Sequence, residues 1–128
     1  MVDSMKYKDW IEKSKSDYNA AKTLKENDCG NDIVAFHCQQ SIEKCFKGYL
    51  LKNLGQIIQG HSLIYLCQQS IKINDSFKGY LKDCAFINQY YIETRYPSDT
   101  PLIVSNEDAD ECLKITNKII DSIIKLLY

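Results

Sequence analysis

Three groups of residues in this chain have the types and spacing to do chemistry. The first is a polar row, Gln40, Glu43, Lys44 and Lys47, whose three- and four-residue steps place all four on one side of a helix. For Glu43 and Lys47 a solvated i,i+4 ion pair, worth about 0.2–0.5 kcal/mol, is as good a reading as a functional one. Gln40 and Lys44 fall nearer the edge of the adjoining apolar stripe and are the better candidates for lining a cleft. The second is His61, in Gly60-His-Ser-Leu63, at the head of the next helix. Unpaired amides there disfavour imidazolium, so a neutral ring is expected, able to accept a proton or hold a polar ligand. The alternative role for His61 is only to order the turn; His37, next to Cys38, reads as a boundary residue. The third group is Tyr90-Tyr-Ile-Glu-Thr-Arg-Tyr-Pro-Ser-Asp99. On this proline-stiffened loop the guanidinium fork of Arg95 suits phosphate or carboxylate, and Tyr91 or Tyr96 could stack a base. Arg95 could equally tie down Asp17, a carboxylate within an otherwise apolar stripe that would need a partner if buried.

Other chemistries are missing their signatures. There is no Gly-rich phosphate loop, no H-E-x-x-H and no nucleophile elbow. Cys38 and Cys45 are seven residues apart and share a helix face, but two thiols without a third ligand do not make a zinc site. No metal and no cofactor is therefore expected. Formal net charge is −1, so no global field draws in nucleic acid and any anion site must be local.

The elements that must position these groups are helices. Strand periodicity is nearly absent, and 128 residues with 45% apolar and 26% charged content suit a single globular domain spanning residues 1–128. A first helix is expected from just after Asp3 or Ser4 to about Glu26, on a stripe of Trp10, Ser14, Asp17, Ala21 and Leu24. Asn27-Asp-Cys-Gly-Asn31 is a turn, with Asn31 or Asp32 placed to cap the second helix. That helix runs from about Asp32 to Asn53, stops at Gly55, and buries Ala35, Cys38, Gln39, Ile42, Cys45, Phe46, Tyr49 and Leu50. Gly60 and Ser62 start a third on Leu63, Leu66, Cys67 and Ile71. A fourth follows Asn74-Asp-Ser76 and reaches about Glu93 on Leu81, Cys84, Ala85, Asn88, Tyr91 and Ile92. Pro97 and Pro101 enforce a loop. Ser105 with Asp108 then opens a capping box for a last helix to the carboxyl end. The expectation is an all-α, up-and-down bundle of four long helices plus a short fifth. The amino-terminal residues lack the apolar core of a secretory signal, and no apolar run approaches the roughly 20 residues of a membrane span. The six cysteines are spread one per helical region with no C-x-x-C pair, as reduced core residues of a cytoplasmic protein would be.

Taken in order, Ala35-Phe-His-Cys-Gln-Gln-Ser-Ile-Glu-Lys44 with Lys47, Gly60-His-Ser-Leu63, and Tyr91-Ile-Glu-Thr-Arg-Tyr-Pro-Ser-Asp99 resemble the HEPN family of small α-helical domains. The likeness extends to Trp10, Asp17 and Ala21 and covers almost the whole chain. It implies a homodimer that brings two polar clefts together, an association with nucleotide binding or RNA-cleaving toxins, and often a small nucleotidyltransferase as partner or antitoxin. The family's ribonucleases carry an Arg, then four to six intervening residues, then a His. Here the corresponding positions after Arg95 hold Thr100, Pro101 and Leu102, and no histidine follows Arg95 at all. The leading expectation is thus a non-catalytic nucleotide- or RNA-binding module, using Gln40, Lys44, His61, Tyr91, Arg95 and Tyr96. The rivals are an atypical metal-independent ribonuclease with His61 as acid or base and Arg95 stabilising phosphorane charge, and a ligand-free interaction scaffold.

Overall fold

The structure, a computed structural model, describes residues 3–93, 97 and 102–128, and for residues 92 and 93 the backbone alone. Asp3 accepts a hydrogen bond from the Met5 amide and caps a 3₁₀ turn, Ser4–Lys6, that feeds α1 (Tyr7–Glu26). Then come α2 (Asn31–Leu54), α3 (Leu63–Ile71), a second 3₁₀ turn (Asp75–Tyr80), α4 (Leu81–Asn88), α5 (Tyr90–Glu93) and α6 (Asn106–Leu127). No strand occurs among the described residues, and the helices form the expected bundle. Helix α2 is its axis, packed on α1, α6 and α3 together.

Local chemistry sets most of the ends. Gly55 takes the left-handed conformation (φ 71°) and its amide closes on the Leu51 carbonyl, ending α2. The Ser62 hydroxyl accepts from the Tyr65 amide and starts α3. Ser105 and Asp108 form the reciprocal capping box of α6. One expected cap is different: Gly30, not Asn31 or Asp32, occupies the cap of α2. Asn31 has been recruited elsewhere, its amide donating to the Val104 carbonyl and to Asn106 Oδ1, which ties the start of α2 to the start of α6.

Two apolar stripes are turned from their expected positions. In α1 the buried line is Tyr7, Ile11, Ser14 and Ala21, which leaves Trp10 and Asp17 half-buried at its edge. The expected fourth helix is broken into a 3₁₀ turn, α4 and α5. Gly79 weakens its first part, and at the break the Gln89 amide donates to the Phe86 carbonyl in place of the next backbone amide. Cys84, Ile87 and Tyr90 are consequently buried while Ala85 faces solvent.

The core is closed by Phe46, Phe77 and Tyr49, with ring centroids 5.8 Å (Phe46–Phe77) and 5.0 Å (Tyr49–Phe77) apart in edge-on contact. Cys38, Cys45, Cys67, Cys84 and Cys112 lie within it, and burial pushes the Cys38 and Cys45 thiols up to about 12. Cys38 and Cys45 are thereby inert packing groups. No helix among the described residues is long and apolar enough to cross a membrane.

Candidate functional site

The polar row of α2 lies in a seam, with α1 on one side and the turn before α3 on the other. Its centre is the Glu43 carboxylate, only 5% exposed. It receives the Lys47 ammonium at 3.1 Å, the Gln39 side-chain amide at 3.3 Å, and His61 Nδ1 at 3.1 Å from each oxygen. Lys47 is also buried, so the pair is an internal one rather than the solvated surface pair that spacing alone allowed. Internal charges are held only when each finds partners, and here three donors surround one carboxylate.

That carboxylate also orients the imidazole. A carboxylate only accepts, so Nδ1 of His61 carries a proton and Nε2 is the remaining ring nitrogen. The His61 carbonyl accepts from the Gln39 amide at 3.1 Å, which fixes the turn from the α2 side. From the other side, Asn88 Oδ1 accepts the Leu63 amide at 2.7 Å, satisfying one of the orphan donors at the start of α3. The imidazole stacks on Tyr91, ring centroids 4.6 Å apart and planes within 18°. With its side chain 54% exposed, His61 presents this stack to solvent.

The α1 side holds a second cluster. Asp17 binds the Lys44 ammonium and, at 3.1 Å, His37 Nδ1. Asp17 is thus partnered by Lys44 and His37, while the expected tie to Arg95 lies outside the described residues. His37 is a boundary residue that also hydrogen-bonds Asp17 through Nδ1. Gln40 donates to Gln39 Oε1 at 2.7 Å, so an amide chain runs from the half-exposed edge to Glu43 and His61. Beneath both, Ser14 and Ser41 exchange hydroxyl-to-carbonyl bonds across the α1–α2 contact at 2.6 and 2.7 Å.

Of the predicted site residues, Gln40, Lys44, His61 and Tyr91 come together along this seam with Asp17, while Arg95 and Tyr96 lie outside the described residues. Gln39 and Trp10 read as core positions in the sequence, and their roles here have no clear signal in it. Trp10 stands at the edge of the seam, with the Lys47 ammonium 5.9 Å from its ring centroid. One clue is available: Gly48 sits in the middle of a long helix. An added Cβ there would lie 3.0 Å from Ile11 Cδ1, 3.1 Å from Trp10 Cβ and 3.2 Å from the Tyr7 carbonyl. Only glycine lets α1 come this close. No cluster of three or more His, Cys, Asp or Glu suited to a metal occurs among the described residues. The seam can hold a planar or anionic ligand through an aromatic stack, one imidazole nitrogen, an amide and an ammonium.

Residues 7–127 match the family model of the HEPN domain. The candidate toxin MJ1304 of Methanocaldococcus jannaschii is 30% identical to this chain, over 89% of this sequence and 83% of its own. Among solved structures, TT1696 from Thermus thermophilus superposes with a TM-score of 0.83 at 25% identity, covering 94% of this chain and 97% of that one. ST0689, an archaeal HEPN homologue, gives a TM-score of 0.74 at 24% identity, covering 95% and 98%.

Proposed function

The chain belongs to the HEPN family, and on that footing we propose that it is a nucleotide- or RNA-binding module, acting as a homodimer in a toxin–antitoxin-type system. Its protein partner in this reading is a small nucleotidyltransferase, and its compartment is the cytoplasm, where six free thiols persist. The observation that carries the reading is the solvent-facing His61–Tyr91 stack, anchored on Glu43, with the Gln40–Gln39 amide chain leading to the same carboxylate. An aromatic platform of this kind suits a base, and Lys44, Arg95 and Tyr96 are the further residues proposed to complete the site. The toxin name of the M. jannaschii relative supports the biological setting.

Calorimetric titration with AMP and with a short RNA oligonucleotide tests the site. Binding is expected, and loss of Lys44 or Arg95 as alanine should weaken it; unchanged affinity in both variants would remove the assignment. Sedimentation at micromolar concentration should show a dimer. If a nucleotidyltransferase partner still binds after loss of Arg95 and His61, and no nucleotide binds at all, the protein is an interaction scaffold.

One observation favours a second reading as a ribonuclease. Glu43 holds Nδ1–H of His61, the arrangement that orients an imidazole for proton transfer at Nε2. In that reaction Nε2 takes the proton from an RNA 2′-hydroxyl, the 2′-oxygen attacks phosphorus, and the imidazolium returns the proton to the leaving 5′-oxygen. Arg95 would stabilise the phosphorane charge. Cleavage of RNA in chelator, abolished in His61→Ala, establishes this reading; intact RNA at high protein concentration eliminates it.

A further inference from the structure

On the α1 side of the seam, Asp9, Trp10, Lys13 and Lys44 line an open, shallow depression of about 170 Å³. Its walls are almost wholly carbon, from Trp10 and the aliphatic stems of the two lysines. At that size, below the about 300–1,000 Å³ of drug-sized sites, it has room for a single ring rather than an extended ligand. Gly48 brings α1 against α2 at this point, and the buried Lys47 ammonium lies over the indole, so the ring is held from beneath by both.

We infer that this depression is a nucleobase pocket, in which the base of a nucleoside phosphate packs on Trp10 while Lys13 and Lys44 receive its phosphate. The carbon walls reward a flat, weakly polar ring, and the ammonium pair selects an anionic substituent on it. Lys44 already binds Asp17, but an ammonium has three protons and can serve both oxygens. Asp9 can accept from an exocyclic amine or a ribose hydroxyl. The inference rests on the proposed nucleotide-binding reading for the ligand class only; the pocket itself is a separate feature.

Trp10 is the sole tryptophan, so emission excited at the red edge of the indole band reports on this pocket alone. Titration with AMP should change that emission saturably, adenosine should do so with affinity lower by roughly three- to tenfold, and inorganic phosphate should leave it unchanged. Lys13 is exposed, so Lys13→Ala should fold normally and reduce AMP affinity to that of adenosine. His61→Ala should leave the Trp10 response intact. If calorimetry records AMP binding that His61→Ala abolishes while Trp10 emission never changes, the pocket is refuted and the Tyr91–His61 site stands. An equal response to phosphate alone, or an unaltered AMP affinity in both Lys13→Ala and Lys44→Ala, also overturns it. Absence of AMP binding in every arm overturns both readings.

Discussion

Helix α6 buries seven of its 22 residues, all along one stripe, and leaves the rest half-buried or exposed, whereas α2 buries fourteen of 24, including Gln39, Ser41, Glu43 and Lys47. The polar member of the α6 stripe is Thr116, whose hydroxyl is satisfied within its own helix by the Cys112 carbonyl at 2.6 Å. The polar members of α2 are satisfied by α1 and by the His61 turn. A helix that only supports the fold can close its polar groups locally. Helix α2 instead makes its polar groups depend on neighbours, and that dependence assembles the seam. Replacing a buried ion pair by apolar residues is often neutral or stabilising, so Glu43 and Lys47 add little to stability, and orienting His61 is the better account of them.

The largest expected break in this contrast is Glu43→Ala. It leaves the Lys47 ammonium buried without its counter-charge and should cost about 3–5 kcal/mol in urea unfolding. The double change Glu43→Leu with Lys47→Leu should recover most of that stability while leaving His61 unanchored; if the double variant is as unstable as the single one, the pair is a structural necessity and the contrast with α6 is lost. Next is Gly48→Ala, which forces a methyl group against Ile11, Trp10 and the Tyr7 carbonyl. A loss of about 1–3 kcal/mol is expected, accompanied by a shifted Trp10 emission. In α6 the comparable weak point is its end: Ser105→Ala removes the capping box and should cost about 1 kcal/mol by thermal or urea unfolding, with no effect on ligand binding. The smallest effect concerns the thiols. In native protein at neutral pH a thiol reagent should label Cys29, which is exposed, and spare Cys38 and Cys45 of α2 and Cys112 of α6 alike, because burial raises all three thiols. Rapid labelling of the α2 pair alone would show that the seam opens where the α6 packing does not.

The same contrast explains what could be read from the chain. Helix α6 was legible almost residue by residue, because Ser105, Asp108 and the isoleucine spacing are local signals that the structure keeps. The extent of α2 was legible too, from its turn cluster and Gly55. The burial of Glu43 and Lys47 was not: their spacing is the same in a surface pair and in an internal one, and only the approach of α1 and His61 decides between them. In α1 the true stripe begins at Tyr7 and Ile11, one helical position away from the Trp10–Asp17 line, and a half-buried aromatic looks the same in sequence as a core one. The break at Gln89 depends on a side-chain amide taking a backbone carbonyl, a competition that spacing does not reveal. Gln40, Lys44 and His61 stood out as polar groups beside apolar stripes; how they share Glu43 and Asp17 belongs to tertiary structure.

Asn88 and Tyr91 grip the His61 turn three residues apart in the chain, one through the Leu63 amide and the other through the imidazole face. The turn is thus fastened to a short stretch that runs directly toward Arg95 in the sequence. The turn is therefore not an independent loop: a displacement of the α4–α5 junction would reach it by two routes at once, a hydrogen bond at the head of α3 and a ring stack on the imidazole.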